Sequence, residues 1–252
     1  MITFLPHMFV KYSNDLCDRT KFRRFRYANA YVENDILYSF HLKRWSDRKY
    51  TVEFGVRPLC MGLHYVDTGV FEIGMLIKDL HFGTLEIDEL WQYVTSEIIP
   101  FFDSCKTPKA ALQSVQEMYY RINALRLDGL RREGIADGAD PVEKRLYLDD
   151  NVLYLAMKSL DYESMIKSLS YKIPLSESKV DLFAAGHKKY ISKGDTKMAD
   201  VYEKKMKSES EDCIYLKTLL DHAVKQDSEY FVHVMEIREN DSKKRLPAKL
   251  FF

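Results

Sequence analysis

The chain has 252 residues, of which 46% are hydrophobic and 30% are charged. This composition is typical of a folded protein and excludes a disordered one. Because the 38 basic and 38 acidic residues cancel, a generally basic coat for nucleic acid is excluded, although a local basic patch is not. No apolar run approaches the roughly 18 residues of a membrane-spanning helix, and the N-terminus lacks the pattern of a secretory signal. We therefore expect a cytoplasmic protein.

Cysteine usage and motifs argue against several kinds of site. The cysteines Cys17, Cys60, Cys105 and Cys213 are far apart in the chain, whereas zinc sites use closely paired ligands and disulfide-rich folds use more cysteines. The sequence contains no glycine-rich phosphate loop, dinucleotide fingerprint, H-E-x-x-H or G-x-S-x-G motif. We predict four reduced, mostly buried thiols, no metal and no cofactor, and the sequence favours a non-enzymatic protein.

The first third of the chain alternates apolar and polar residues, as half-buried strands do. The predicted strands cover residues 24–32, 36–43, 50–57 and 71–77. Short polar links between them predict an antiparallel meander with one buried face. Glu53 alternates with Val52 and Phe54, so it is expected to face solvent.

Farther along the chain, apolar residues recur at helical spacing. One helix begins near Ile87, and Thr107 and Pro108 form the cap and first residue of the next. Residues 133–140 predict a linker because they contain two glycines and two aspartates. Further helices are predicted near residues 150–160, 162–172, 177–192, 196–207, 211–225 and 228–238. The tail after these helices is expected to be loose or docked late.

These patterns predict an α+β fold. An N-terminal antiparallel sheet of about four strands packs on helices within residues 1–132, and an all-helical C-terminal half covers residues 141–252. The sequence leaves open whether the halves pack as one unit. Leu160 and Gly194 lie in turns 34 residues apart, which is the period of tetratricopeptide repeats. The residues between these turns match poorly, so plain helical hairpins are favoured.

Charge is unevenly distributed along the chain. Residues 1–60 contain 11 basic and 6 acidic residues, and several basic residues lie next to aromatic ones. The candidate partner-binding residues are Arg24, Arg26, Lys43, Arg44, Trp45 and Arg48. Arginine and tryptophan are typical anchors of protein interfaces, and basic residues interleaved with aromatics also bind single-stranded nucleic acid.

Two sets of residues suit metal-dependent hydrolysis. Carboxylates and a lysine on adjacent strands can bind a metal and position a water. The first set is Glu33, Asp35 and Glu53, with Lys43 and Lys49 nearby. The second set is His64, Asp67 and His81, which flank the last predicted strand and can bind a metal or transfer a proton. Neither spacing fits a strict metal motif, so both sets are secondary hypotheses.

Three segments carry a family resemblance. Residues 22–25 read FRRF, residues 35–45 read DILYSFHLKRW and residues 50–56 read YTVEFGV. They resemble the F-x-R strand, the strand that follows it and the FTVNLGV-like strand of a bacterial family of unknown function. The resemblance covers roughly residues 20–125 and implies a small α+β fold without established enzyme activity. Some members of the family look like immunity proteins beside bacterial toxins, and the family pattern supplies no catalytic residues.

The leading functional hypothesis is a bacterial cytoplasmic protein that works by binding another protein, with a toxin-neutralising immunity role among the options. A nucleic-acid-binding protein that uses the basic N-terminal strands is the second hypothesis. An unrecognised metal-dependent hydrolase is the third. Neither the partner nor the oligomeric state follows from the sequence.

Overall fold

The computed structural model describes residues 4–25, 28–46, 49–61, 77–83, 87–132, 142–246 and 248–250. Its strands are β1 (Arg23–Phe25), β2 (Ala28–Glu33), β3 (Ile36–Ser46), β4 (Lys49–Pro58) and β5 (Ile77–Gly83). Its α-helices are α1 (Phe4–Arg19), α2 (Ile87–Tyr93), α3 (Ile99–Ser104), α4 (Pro108–Arg132), α5 (Val142–Leu148), α6 (Asp150–Ser159), α7 (Tyr162–Ser192), α8 (Thr196–Val224) and α9 (Ser228–Arg245). A π-helical turn at Val94–Ile98 joins α2 to α3, and 3-10 turns lie at Leu59–Met61 and Ala248–Leu250.

The predicted α+β class and N-terminal antiparallel sheet are confirmed. The five described strands pair in chain order, and every pair is antiparallel. The segment predicted as one strand over residues 24–32 forms two strands, β1 and β2. The last strand was predicted over residues 71–77, and residues 71–76 lie outside the described residues. The described strand β5 begins at Ile77.

A tight turn sets the register of β2 and β3. Glu33 pairs with Ile36, so Asn34 and Asp35 form a two-residue hairpin loop. Their φ angles are 52° and 58°, which is the left-handed geometry of a type I′ turn. Asparagine and aspartate tolerate this conformation better than most residues do, so the local sequence explains the turn.

One face of the sheet builds the main core. Tyr38 and Phe40 on β3 alternate with polar residues, and their side chains are fully buried. Phe102 of α3 packs edge-on against Tyr38 at 5.7 Å between ring centroids. Helix α1, which the sequence patterns did not predict, covers the same face. Its Phe9 ring packs edge-on against Phe40, with 6.3 Å between the ring centroids. The buried cluster continues without a break into α9 at Phe231, so sheet and helices share one core.

The second face of the sheet is also covered where β2 and β3 meet the C-terminal residues. Leu246 and Leu250 pack against this face, and Ser242 donates a hydrogen bond of 2.6 Å to the carbonyl of Leu59. The sequence left open whether the tail is loose or docks late, and the structure shows it docked on the sheet. Glu53 is 1% exposed, so the expectation that it faces solvent is wrong, because the prediction assumed one buried face.

Four charged residues fasten the β2–β3 turn to the C-terminal half. Lys158 of α6 forms ion pairs with Glu239 of α9 and with Asp35 at 3.6 Å. Lys243 lies 2.6 Å from the same Asp35 carboxylate. Burial opposes ionisation of Asp35, but the hydrogen bond from Lys243 and the charge of Lys158 together hold its pKa below the usual value. Burial raises the pKa of Glu239 despite its lysine partner.

The helical half is built from hairpins with a recurring joint. At each joint a residue with positive φ precedes an aspartate whose carboxylate caps the next helix. The residue pairs are Leu160 and Asp161, Gly194 and Asp195, and Gln226 and Asp227. The four helices they join have 10, 31, 29 and 18 residues. The joints therefore recur, but the helices are too unequal for a regular repeat array.

Helices α7 and α8 are each longer than predicted. The sequence predicted a break between residues 172 and 177, yet α7 continues through Pro174. An internal proline costs a helix about 3 kcal/mol, but its neighbours Ile173 and Ser176 are buried against other elements, and this packing outweighs the cost. The predicted break between residues 207 and 211 is also absent, and Ser210 there donates to the carbonyl of Met206 within the helix.

The cysteines are present as free thiols. Cys60, Cys105 and Cys213 are buried and Cys17 is half-buried, as the sequence predicted for most of them. Burial raises the pKa of Cys60 to about 12 and that of Cys105 to about 11, so both are protonated near neutral pH. Across the described ranges, no helix is both long and apolar enough to cross a membrane.

Candidate functional site

The predicted basic site falls mainly on residues whose side chains lie outside the described part. For Lys43, Arg44 and Trp45 the structure describes only the backbone, which lies in β3. Arg26 and Arg48 lie outside the described residues. Arg24 is described, and its Nε donates a 2.7 Å hydrogen bond to Asn14 of α1. The role of these basic residues in partner binding stays a prediction.

The three acids of the first hydrolase hypothesis occupy separate surroundings. Glu33 lies 2.5 Å from Lys21, and Asp35 belongs to the ion-pair network described above. Glu53 pairs with His41 across the β3–β4 ladder. His41 lies five residues along β3 from Ile36, the residue after Asp35, and five residues of a strand span about 17 Å. In the described part of the chain, no group of three or more His, Cys, Asp or Glu residues is arranged to hold a metal. His64 and Asp67 are outside it.

His41 and Glu53 form a buried polar pair on the second face of the sheet. The His41 Nε2 atom lies 3.1 Å from a Glu53 carboxylate oxygen. Such a carboxylate can orient an imidazole for acid–base chemistry. Among the described residues, neither His41 Nδ1 nor the nearby buried Ser39 hydroxyl has a hydrogen-bond partner. Glu53 and Ser39 are almost fully enclosed, whereas His41 keeps 12% of its side chain exposed.

Helices α7 and α8 form a protruding hairpin, which we call the arm and define as residues 177–212. All of its residues are described, and Ala199 is the one buried residue among them. Beyond Ser176, sixteen residues of α7 remain, so the arm extends by about 24 Å at 1.5 Å per residue. Helix α8 packs mainly against α7, so the arm contributes little to the central core.

Aromatic packing holds the two helices of the arm together. The ring of Tyr202 lies against Gly186, where an added Cβ would come within 2.2 Å of the ring. Phe183 and Tyr190 pack against the same ring, with centroids at 6.3 Å and 5.3 Å. A glycine is therefore required in α7 for α8 to approach this closely, although glycine weakens a helix by about 1 kcal/mol.

The outer surface of the arm combines aliphatic side chains with lysines. Leu182 is 64% exposed and Ile191 is 58% exposed. They are nine residues apart, which places them on opposite sides of α7 at 100° per residue. Residues 184–207 contain seven lysines and three carboxylates. The lysines are Lys188, Lys189, Lys193, Lys197, Lys204, Lys205 and Lys207. None of them takes part in an ion pair in the described ranges.

A cleft of about 590 Å³ opens at the root of the arm. It lies where α6, α7, α8 and α9 meet the end of β4. Its polar wall residues include Arg57, Lys172, Ser176, Asp212, Tyr215 and Arg238. Leu153 and Leu216 add apolar surface to the wall. The volume falls within the range of about 300–1,000 Å³ that small-molecule sites occupy.

Arg238 of α9 is held rigidly at the wall of this cleft. Its Nε donates a 2.6 Å hydrogen bond to the carbonyl of Cys60. Its guanidinium carbon lies 4.9 Å from the ring centre of Tyr154 and 5.8 Å from that of Tyr215. In the described residues no carboxylate forms an ion pair with it. Burial raises the pKa of Tyr154, so the neutral phenol ring provides a stable face for the cation.

The other charges of the cleft are largely paired. Lys172 Nζ lies 2.6 Å from Asp150 and also donates to the carbonyl of Leu148. Glu209 accepts a 2.8 Å hydrogen bond from Ser176 and lies 3.5 Å from Lys179. These pairs leave Arg238 as the guanidinium with which no described carboxylate forms an ion pair. Arg57 adds a second, buried guanidinium, which has interactions of its own.

Neither the arm nor the cleft was identified from the sequence. The lysine-rich segment around Gly194 was visible in the chain, but two shorter helices were predicted on each side of it. The cleft joins residues that are far apart in the chain, so no local motif marks it. Comparison with protein-family models, curated proteins and solved structures finds no match.

Proposed function

We propose that this protein acts by binding another protein, and that the arm is inserted into a groove on the partner. The observation that carries the proposal is the exposure of Leu182 and Ile191 on opposite sides of a projecting helix. When a partner covers water-exposed aliphatic groups, the free energy of binding improves by about 25 cal/mol per Å² of buried apolar area. A groove that encloses the arm covers both residues, whereas a flat surface covers one.

The charge of the arm defines the chemistry of the partner. Seven lysines against three carboxylates within residues 184–207 favour a groove lined by aspartate and glutamate. A nucleic acid would also attract these lysines, but a phosphate backbone offers no apolar surface for Leu182 and Ile191. The sequence hypothesis of protein–protein binding therefore remains our proposal, with the arm added to the basic N-terminal strands as a candidate interface.

The finer parts of the hypothesis have less support. The resemblance to a family with immunity-like members favours a toxin as the partner. The four cysteines without disulfides fit a reducing compartment such as the bacterial cytoplasm. We do not propose the metal-dependent hydrolase, because the three acids of its first candidate set occupy separate surroundings.

Affinity capture from native lysate with matched variants tests the proposal. The tagged full chain is compared with Leu182→Ser/Ile191→Ser and with a control, Val224→Ser, which removes an equally exposed aliphatic group outside the arm. We expect one acidic protein to be retained at low and moderate salt by the wild type and the control. The double arm variant should bind that purified protein about tenfold or more weakly, the equivalent of about 1.4 kcal/mol or more.

Two results contradict the proposal. If the double arm variant binds the captured protein as tightly as the wild type does, the arm is not the interface. If nucleic acid is captured at low salt and lost steeply at higher salt, with no retained protein, the lysines serve nucleic-acid binding instead.

A further inference from the structure

We infer that the cleft at the root of the arm binds a small organic anion, through Arg238 and with a flat apolar body against the cleft wall. This inference is independent of the proposed function, because Leu182 and Ile191 do not line the cleft. It rests on three observations: the size of the cleft, the fixed guanidinium of Arg238 that pairs with no carboxylate among the described residues, and the pairing of most other described charges.

The guanidinium of Arg238 is prepared for an anion before one binds. Its hydrogen bond to the Cys60 carbonyl and its position beside Tyr154 and Tyr215 fix its orientation. Its contacts to the Tyr215 hydroxyl and the Met61 carbonyl are both 3.5 Å long, which is beyond the usual hydrogen-bond distance of about 3 Å. The terminal nitrogens therefore keep donor capacity for a carboxylate or phosphate, which arginine binds through two parallel hydrogen bonds.

The rest of the wall determines what kind of anion fits. Arg57 adds a second buried guanidinium, and Leu153, Leu216 and Tyr215 provide apolar and aromatic surface. Lys172 and Glu209 already interact with other side chains, so neither favours an anionic or a cationic ligand strongly. Asp212 is exposed on α8 at the cleft and opposes an anion. A planar organic carboxylate or phosphate matches this arrangement.

Fluorescence titration of the full chain with three matched probes tests the inference. The probes are 1-naphthoate, 1-naphthyl phosphate and the neutral 1-naphthol. We expect at least one anion to bind tenfold or more tightly than naphthol, because charge-assisted hydrogen bonds are stronger than neutral ones. The tighter anion identifies whether the natural group is a carboxylate or a phosphate. Equal binding of naphthol and both anions, or no binding of any probe, overturns the inference.

Variants of opposite expected sign make the test independent of folding. Arg238→Gln should weaken the anion about tenfold or more, but it also removes a contact to the backbone. Asp212→Asn removes the opposing charge and should strengthen binding by about twofold to threefold. The control is Asp200→Asn, an exposed residue twelve positions earlier on α8, about 18 Å away along the helix. If Asp212→Asn has no more effect than this control, the anion does not occupy the cleft.

Discussion

Replacement of Lys158 by methionine should destabilise the folded chain by about 3 kcal/mol at pH 7. The Lys158 ammonium group pairs with Glu239 and lies 3.6 Å from Asp35. Methionine replaces most of the apolar stem of lysine but removes the charge. Glu239 is buried and would then lose its ion-pair partner, keeping only the attraction of Lys243. Leaving a buried charge without its partner is strongly destabilising.

The expected magnitude follows from the exposure of each partner. Removing one member of a buried ion pair costs about 3–5 kcal/mol, because the other charge stays in a poorly solvated place. The lower end applies here, since Asp35 is 32% exposed and keeps Lys243 at 2.6 Å. Most of the lost stability therefore comes from the Glu239 carboxylate, which loses its ion-pair partner.

The pH dependence of this loss has a defined sign. Burial raises the pKa of Glu239 above its unfolded value, and the hydrogen bond from Lys158 opposes that rise. Without Lys158 the pKa of Glu239 rises further, so the carboxyl group is more readily protonated in the folded state. A group with a raised folded pKa contributes stability at low pH and loses it as the pH rises. The deficit of Lys158→Met should therefore be smaller at pH 5 than at pH 7.

Urea unfolding followed by circular dichroism measures these free energies, with Lys217→Met as the matched control. Lys217 pairs with Glu177 at 2.7 Å, but the two side chains are 54% and 50% exposed. Exposed pairs contribute about 0–1 kcal/mol, so the control should lose no more than that. If Lys158→Met costs no more than the control, or if its deficit grows toward pH 5, our account of the network is wrong.

Three further predictions concern caps and core. Burial raises the pKa of Asp149 to about 6, so this group favours the folded state below its unfolded pKa and loses that contribution as the pH rises through about 6. Asp149→Asn keeps a capping side chain for Asn151, and its unfolding free energy should fall less than that of the wild type between pH 4 and 7. Ser242→Ala removes the buried 2.6 Å hydrogen bond to Leu59 and should cost about 1–3 kcal/mol in urea unfolding. Phe102→Ala should cost about 3–5 kcal/mol, and a loss below 1 kcal/mol would contradict its place in the core.

The sequence by itself determined the elements whose signals are local. Alternation in residues 36–43 and 50–57 identified β3 and β4, because a strand turns successive side chains to opposite faces whatever lies around it. Thr107 and Pro108 marked the start of α4, because a cap and a fixed φ act on adjacent residues only. Periodicity also located the helices of the C-terminal half, although not all of their ends.

Only the tertiary structure decided which residues are covered and which helices continue. Glu53 lies on the face that the alternation assigned to solvent, yet other parts of the chain bury it. Pro174 would end an isolated helix, yet α7 continues through it where Ile173 and Ser176 are buried against other elements. Arg57, Lys172 and Arg238 come from three distant parts of the chain and meet at one cleft. These outcomes depend on contacts between residues remote in sequence, whose energies exceed local preferences and leave no pattern within any short segment.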